Sequence, residues 1–282
     1  MAEEMNTAQI SSEQSKQLRI EQEQIQQRIK HIKHKILVLS GKGGVGKSTV
    51  AVNLAISLSL EDKQVGLLDI DIHGPSIPKI LSLEGVPLHA DGQILLPVQV
   101  TANLKVMSIG FLLSNNDDAV IWRGPRKYHM IKQFLKDVNW GKLDYLIIDS
   151  PPGTGDEPLS IVQLLGDADG AVIVTTPQEV ALSDVRKGIT FCRNLNLPVI
   201  GVLENMSGFI CSECGRRTDI FKSGGGKQMA RQMNVPFLGQ IPIDPQIVES
   251  CDSGQPYIQY YDSSQTARAF KKAIKTLFKL DK

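Results

Sequence analysis

The chain is poor in the features that mark several specialised classes of protein. It contains four cysteines in 282 residues, too few for a disulfide framework. Its formal net charge is only +1, so no global positive charge favours nucleic acid as a partner. It lacks any apolar run of about 18 residues, the length of a membrane span, and a basic-then-apolar secretory signal. We therefore expect an intracellular, cytoplasmic protein with neither a nucleic-acid nor a membrane partner.

The organisation of the chain is that of a globular protein with an N-terminal extension. Residues 1–34 contain no glycine or proline and place Leu18, Ile25, Ile29 and Ile32 at helical spacing, which predicts a helical extension. Apolar strand patterns follow at 35–39, 64–70, 104–109, 143–149, 171–176, 199–204 and 236–239, and helical patterns at 50–60, 128–138, 157–165, 180–195, 226–233 and 264–280. This alternation predicts one α/β domain over residues 35–282, with a mostly parallel, twisted sheet flanked by helices on both faces.

A glycine-rich segment joins the first strand pattern to the first helix pattern. It reads Gly41-Lys42-Gly43-Gly44-Val45-Gly46-Lys47-Ser48-Thr49, which has the spacing G-x-x-x-x-G-K-S of a phosphate-binding loop. The glycines let backbone N–H groups surround phosphate oxygens, Lys47 neutralises β/γ charge, and Ser48 binds Mg²⁺. The following helix directs its positive end at the same anion. A flexible surface loop, the alternative, is disfavoured by the flanking strand and helix.

Carboxylates follow two other strand patterns. Asp149 ends one of them, where an aspartate beside a phosphate loop holds Mg²⁺ directly or through water. Asp71 lies in the loop after the strand pattern at 64–70, where its carboxylate can orient the attacking water. Asp69, two residues earlier, would lie nearer the metal. The alternative for Asp149 is a turn or capping aspartate, and that for Asp71 is the cap of a helix starting near residue 75. Gly153 is a candidate for sensing the γ-phosphate through its N–H, and His73 is interpreted as a loop residue.

Cys211 and Cys214 form the one close pair of cysteines. Two thiolates at this spacing in a polar loop can converge on a metal centre, but an iron–sulfur cluster or structural zinc normally needs four ligands. A two-fold axis would supply the missing pair from a second chain; a dithiol redox pair and a chance occurrence are the alternatives. Cys192 is interpreted as a buried small hydrophobe, and Cys251 is ambiguous.

Four segments in a fixed order carry a resemblance to a known family. They are the phosphate loop with Lys42, the segment Asp69-x-Asp71-x-x-Gly74-Pro75-Ser76, the segment Asp149-x-Pro151-Pro152-Gly153-Thr154-Gly155-Asp156, and Cys211-x-x-Cys214. Together they resemble the Mrp/ApbC group of iron–sulfur carrier ATPases, within the class of MinD, ParA and the nitrogenase iron protein. The resemblance covers roughly residues 35–275. Lys222 departs from it, because glycine is expected at that position.

The resemblance implies a slow, Mg²⁺-dependent ATPase that works as a homodimer. Lys42 of each chain would reach the nucleotide of its partner, and Asn205, Pro242 and Asp244 would surround the adenine. Cys211 and Cys214, in a loop near residues 205–226, would hold a 4Fe–4S cluster that bridges the dimer, with zinc as a substitute. The recipients of the cluster would be apo iron–sulfur proteins.

The C-terminal segment raises a second hypothesis, a MinD- or ParA-like positioning ATPase acting on a membrane or on DNA. Its apolar stripe is Phe270, Ile274, Leu277 and Phe278, and its basic residues are Arg268, Lys271, Lys272, Lys275, Lys279 and Lys282. This pattern is compatible with an interfacial helix. A final helix packed on the sheet, with solvated lysines, is the favoured interpretation. A small-molecule kinase is a weaker third hypothesis.

Overall fold

The computed structural model describes residue 17 and residues 19–72, 74–113, 124–211 and 213–281. The predictions made for residues 1–16, Leu18, His73 and Lys282 fall outside these ranges. Within them, no helix is long and apolar enough to cross a membrane.

The strands and helices are named in chain order. The strands are β1 (Ile32–Ser40), β2 (Val65–Asp69), β3 (His89–Asp91), β4 (Ile94–Leu96), β5 (Val98–Thr101), β6 (Leu104–Ser108), β7 (Leu143–Asp149), β8 (Gly170–Thr175), β9 (Val199–Glu204), β10 (Phe209–Ile210), β11 (Arg217–Thr218) and β12 (Phe237–Gln240). The helices are α1 (residues 19–29), α2 (Lys47–Leu60), α3 (Ile77–Ile80), α4 (Gly124–Asp137), α5 (Asp156–Leu165), α6 (Glu179–Asn194), α7 (Gly225–Gln232), α8 (Pro245–Ser253), α9 (Tyr257–Tyr260) and α10 (Gln265–Leu277).

An eight-stranded sheet, in the order β12-β9-β8-β1-β7-β2-β6-β5, organises the described part of the chain. All neighbouring strands are parallel except the edge pair β5 and β6, which is antiparallel. The predicted class, an α/β domain with a mostly parallel sheet, is confirmed. Two short antiparallel pairs, β3 with β4 and β10 with β11, lie outside this sheet.

Both faces of the sheet are covered, which explains the continuous apolar pattern of its strands. Successive side chains of a strand point to opposite faces. In β1, Ile36 and Val38 join the core under α2, α3, α8, α9 and α10. Leu37 and Leu39 join the core under α1, α4, α5, α6 and α7. The helix patterns therefore fall into two layers that enclose the sheet.

The C-terminal helix α10 packs on the sheet, in agreement with the interpretation favoured over an interfacial helix. Phe270 and Leu277 are fully buried, Ile274 is 2% exposed, and all three belong to the core that includes α2. Arg268 and Lys272 on the opposite side are exposed. The apolar stripe is thus occupied by the protein's own core, and the basic residues form the solvated face.

The N-terminal boundary differs from the prediction. Helix α1 ends at residue 29, and β1 begins at Ile32, three residues before the expected strand. Residues 32–34 therefore belong to the sheet and not to the extension. Lys33 and His34 are polar and interrupt the apolar run after Ile32, yet His34 is buried and its Nδ1 lies 2.9 Å from Asp169 Oδ1.

Several short elements escaped sequence analysis. The hairpin of β3 and β4 and the ribbon of β10 and β11 consist of strands of two or three residues, too short for a periodic pattern. Helix α8 did have a start signal. Asp244 caps it by accepting a hydrogen bond from Gln246 N at 3.0 Å, and Pro245 occupies its first turn, the usual arrangement at a helix N-terminus.

Candidate functional site

Three predicted segments meet at the carboxyl ends of the central strands. Val38 of β1 pairs with Asp149 of β7, and Asp149 pairs with Asp69 of β2. The phosphate loop follows β1 directly. The loop, Asp149 and Asp69 therefore share one edge of the sheet, where ligands bind in parallel α/β folds.

Gly46 sets the shape of the phosphate loop. It lies at the N-cap of α2 with φ of 79°, a left-handed conformation that favours glycine. A Cβ atom there would lie 2.3 Å from Nδ2 of Asn205. That nitrogen donates a hydrogen bond to Val45 O at 2.9 Å. Asn205, expected near the adenine, thus holds the loop through its side-chain amide.

Lys47 lies at the centre of a buried charge cluster. It is 6% exposed, and its Nζ lies 2.6 Å from Asp149 Oδ1 and 3.5 Å from Asp71 Oδ2. It also donates to Ser48 Oγ at 3.3 Å. Burial lowers the pKa of Lys47, but the carboxylates of Asp149 and Asp71 outweigh burial and bring the pKa above its usual value. Lys47 is therefore a stable cation.

Asp149 combines full burial with an unused oxygen. Burial raises its pKa, and the charge of Lys47 offsets this rise only in part. Among the residues that the structure describes, none hydrogen-bonds its Oδ2 atom. A free carboxylate oxygen next to the hydroxyl of Ser48 fits Mg²⁺, which prefers oxygen ligands. Ser48 and Asp149 are therefore the residues that would hold the metal.

Asp69, predicted to lie nearer the metal, accepts two hydrogen bonds from its own chain. Its Oδ1 accepts the N–H of Asp71 at 3.0 Å, and its Oδ2 accepts the hydroxyl of Ser108 at 2.8 Å. Burial and then the charge of Asp149 raise the pKa of Asp69 to about 8. Asp69 thus supports the start of the Asp71 loop. Ser108, at the end of β6, carried no sequence signal of this contact.

Asp71 faces the cluster and does not cap a helix. Helix α3 begins at Ile77 with Ser76 at its N-cap, so the capping alternative for Asp71 is wrong. Asp71 lines a cavity of about 450 Å³ together with Lys127 and Glu157, whose charged groups are 2.6 Å apart. The cavity opens beside the Lys47 cluster and leaves room for reacting groups.

The backbone N–H of Gly153 makes a hydrogen bond within the protein. Its N–H donates to Ser40 O at 2.8 Å, and its φ is 92°. In this conformation its N–H binds the strand before the phosphate loop. Sensing of a phosphate by Gly153 would require this hydrogen bond to break.

Pro242 and Asp244 line a second cavity, of about 420 Å³. The carboxylate of Asp244 accepts hydrogen bonds from Gln246 N, from Thr266 Oγ1 at 2.8 Å and from the hydroxyl of Tyr257. Burial, followed by the hydrogen bond to Asp244, raises the pKa of Tyr257 to about 12. The carboxylate is therefore fixed by the protein, and the cavity wall around Pro242 is preformed.

The cysteine pair lies on an exposed turn after β10. Cys211 N donates to Arg216 O at 3.0 Å, and Gly215 N donates to Cys211 O at 2.9 Å. The backbone N–H of Cys214, followed by that of Glu213, lowers the pKa of Cys211, which favours its thiolate. Cys214 is exposed. Two accessible sulfurs, half of a four-ligand set, therefore lie on one turn.

The other two cysteines are unlike this pair. Cys192 is fully buried, and burial raises its pKa to about 12; its interpretation as a small core hydrophobe is confirmed. Cys251 is half-buried, with its sulfur 3.9 Å from Thr49 Oγ1. Burial raises its pKa as well.

Lys42 lines a surface cavity away from the Lys47 cluster. This cavity of about 460 Å³ also includes Val180, Ile220, Phe221 and Lys222. The φ of Lys222 is 69°, a left-handed conformation. This backbone geometry accounts for the expectation of glycine at that position.

Solved structures of other proteins share the α/β fold of this chain. A nucleotide-binding protein from Archaeoglobus fulgidus, solved in complex with ADP and with Co found by PIXE, is 42% identical over 83% of this chain and 92% of its own, with a TM-score of 0.74. The cell division ATPase MinD from Pyrococcus furiosus is 25% identical over 88% of this chain and 100% of its own, with a TM-score of 0.64.

Comparison with protein families identifies the chain itself. The ParA model described as NUBPL iron-transfer P-loop NTPase matches residues 31–278, which confirms the family expected from the four motifs. The loop, the Lys47 cluster and the cysteine turn all lie within the matched range. The chain belongs to the family of NUBPL iron-transfer P-loop NTPases.

Proposed function

We propose that the protein is a Mg²⁺-dependent ATPase that carries an iron–sulfur cluster between two copies of the chain and transfers it to apoproteins. The observation that supports this most is the exposed turn of Cys211 and Cys214, which offers two of the four thiolates that a cluster needs. The same chain holds a phosphate loop whose lysine, Lys47, is buried, and its family is named for iron transfer.

The nucleotide chemistry follows from the charges around Lys47. Without nucleotide, Lys47 is neutralised by Asp149 at 2.6 Å. A bound triphosphate would compete with Asp149 for Lys47. Ser48 and Asp149 would hold Mg²⁺, which would supply positive charge beside the phosphates. Asp71, lining the adjacent cavity, orients the attacking water. The Archaeoglobus fulgidus protein binds ADP, and its similarity supports an adenine nucleotide here.

The surface around Lys42 supports a second copy of the chain as partner. Val180, Ile220 and Phe221 are 71%, 55% and 38% exposed and line one cavity with Lys42. A cluster of exposed apolar side chains marks an interaction surface more often than scattered ones do. Ile220 follows closely in sequence after the ribbon of β10 and β11, which carries the cysteine turn and is called the cysteine ribbon below. A two-fold contact at Ile220 would therefore bring the cysteine ribbons of the two chains together. Lys42 would then meet the partner's nucleotide.

In this proposal the iron–sulfur cluster is a cargo that the protein binds and releases. An exposed site whose ligands come from two chains loses half of them when the contact opens. Release to an apoprotein then needs a conformational change but no redox step. The favoured thiolate of Cys211 supports loading, because metals bind the deprotonated sulfur.

Anaerobic reconstitution tests the proposal. Wild type, a Cys211→Ala/Cys214→Ala variant and a Cys192→Ala control are treated with iron and sulfide, and iron, sulfide and native mass are measured. We expect about four irons per dimer in wild type and in the control, and none in the double variant. Equal iron in all three proteins would refute the cluster proposal.

The positioning hypothesis is tested separately by flotation of the protein with anionic liposomes and ATP. Its main support, the apolar stripe of α10, is buried in the core. We expect the protein to stay with the soluble fraction, and ATP-dependent flotation would favour the positioning hypothesis instead.

A further inference from the structure

Glu204 is a buried carboxyl group that the proposed chemistry does not use. It ends β9 and is fully buried. Its oxygens accept hydrogen bonds from Gly224 N at 2.8 Å, Gln240 Nε2 at 2.8 Å, Ser207 Oγ at 2.6 Å and Gly226 N. Burial of a carboxyl group is costly unless its oxygens are hydrogen-bonded. Glu204 therefore holds its surroundings in one arrangement.

The residue after Glu204 reaches the nucleotide site. Asn205 donates its backbone N–H to Thr175 O at 2.7 Å and its side-chain amide to Val45 O at 2.9 Å. Asn205 also fills the space beside Gly46. A buried hydrogen bond thus joins the phosphate loop to the residue that follows β9.

The hydroxyl groups beside Glu204 reach the cysteine ribbon. Ser207 Oγ lies 3.1 Å from Ser223 Oγ. Arg217 of β11 donates to Ser223 Oγ at 2.7 Å and to Ser207 O at 3.4 Å. Arg217 pairs with Ile210 of β10, and Cys211 is the next residue. Hydrogen bonds therefore connect Glu204 to the strand that positions the first cysteine.

We infer that Glu204 is a positioning residue that couples nucleotide binding at the phosphate loop to the geometry of the Cys211–Cys214 turn within one chain. The inference rests on the proposed function, in which this turn binds the metal cargo. A rearrangement of Val45 and Asn205 on nucleotide binding changes the anchoring of the ribbon. By linkage, metal at the turn changes nucleotide affinity by the same factor.

A purely structural role is the competing explanation. In that case Glu204 only satisfies the N–H groups of Gly224 and Gly226 at the start of α7. The variant Glu204→Gln keeps the size of the side chain but replaces one acceptor oxygen by an N–H₂ group, which faces donors. A structural role predicts lower stability with unchanged coupling, whereas a positioning role predicts lost coupling.

Hydrogen exchange measures the coupling without any metal. The amides of Cys211 and Gly215 close the turn, so their exchange rates report its opening. In the full chain we expect ADP with Mg²⁺ to change these rates at least about threefold in wild type. We expect no change in Glu204→Gln, although it binds ADP with an affinity within about threefold of wild type.

Two further variants separate coupling from stability. Ser223→Ala removes the oxygen that accepts from Arg217 and leaves the bonds of Glu204 to α7, so it should also lose the response. Asp169→Asn is the matched control: its carboxylate accepts a hydrogen bond from Lys35 N at 2.8 Å near the amino end of β1, at the end of the strand away from the phosphate loop. It should respond to ADP like wild type, whatever its stability.

Titration with Co²⁺ gives the second measurement. From thiolate absorbance, we expect ADP to change the Co²⁺ affinity of wild type at least about fivefold and that of Glu204→Gln less than about twofold. A full ADP response in Glu204→Gln, or none in wild type, would overturn the coupling. The proposed function fails by a different result, namely unchanged iron in the double cysteine variant.

Discussion

The phosphate loop and the cysteine turn differ in how much of a site one chain supplies. Lys47 and Asp149 lie at the ends of central strands and are 6% and 0% exposed. Cys214 is exposed on a turn between strands of two residues. In the first region the ammonium group of Lys47 contacts carboxylates of its own chain, whereas the second offers two of the four thiolates that a cluster would need. The buried site suits positioned chemistry, and the open one suits a cargo that must leave.

The largest expected effect is on the buried site alone. Lys47→Ala removes the cation that meets the phosphates, so ATP turnover should fall at least about a hundredfold. Thiolate-bound Co²⁺ at the cysteine turn should remain, which would separate the two regions. Steady-state phosphate release and Co²⁺ absorbance measure both, with the exposed Lys142→Ala as control. Retained turnover would place the chemistry elsewhere.

The next largest effect concerns the exposed apolar surface beside Lys42, through which two chains are proposed to meet. Phe221→Asp introduces a charge into the exposed apolar cluster beside Lys42, so the dimer dissociation constant with a non-hydrolysable ATP analogue should rise about thirtyfold. Sedimentation velocity measures it. Tyr260→Asp, at another exposed aromatic residue, should leave the dimer unchanged. Equal dimerisation of both variants would remove this surface from the proposal.

A pH-dependent effect tests the buried charge. Burial and the charge of Asp149 raise the folded-state pKa of Asp69 to about 8, well above the usual value of 3.8 for an aspartate. The folded state therefore keeps a proton that the unfolded chain loses. From this group, unfolding free energy falls as pH rises from about 4 to about 8, by at most about 1.4 kcal/mol per pH unit.

The variant Asp69→Asn cannot ionise and should lose that contribution. Urea unfolding of nucleotide-free protein at several pH values measures it, with the exposed Asp262→Asn as control. The stability of Asp69→Asn relative to wild type should increase towards pH 8. A parallel pH dependence of the two proteins would contradict the raised pKa.

The smallest effect lies next to the cysteine ribbon. Lys222→Gly relieves a left-handed lysine with φ of 69° and should raise the unfolding free energy by about 0.5–1 kcal/mol. Lys227→Gly, inside α7, should lower it by about 1 kcal/mol. Thermal unfolding compares the two variants. Destabilisation by both would argue against strain at Lys222.

Sequence predicted the buried region better than the exposed one. The strands 143–149 and 199–204 have the predicted bounds, because buried parallel strands are apolar throughout. The loop spacing singled out Lys47 and Ser48, because each position of a phosphate-loop motif has its own role towards phosphate or metal. The ribbon of β10 and β11 was missed, since two-residue strands leave no periodicity.

Contacts between distant polar residues were also beyond sequence reasoning. Ser108 with Asp69, and Glu204 with Gly224, join elements separated along the chain. A polar residue at a strand end is compatible with many turns and caps, and only the folded arrangement selects its partner. The start of α8 at Asp244 and Pro245, by contrast, was readable from the chain.

The ion pair of Lys47 and Asp149 has a consequence for ligand selection. The single ammonium group of Lys47 faces the carboxyl groups of Asp69, Asp71 and Asp149. Free orthophosphate or metal-free polyphosphate approaching this site meets no surplus of cationic charge. An anion that brings its own divalent counterion avoids that repulsion. We therefore expect the site to disfavour simple free anions and to take nucleotide as the magnesium complex.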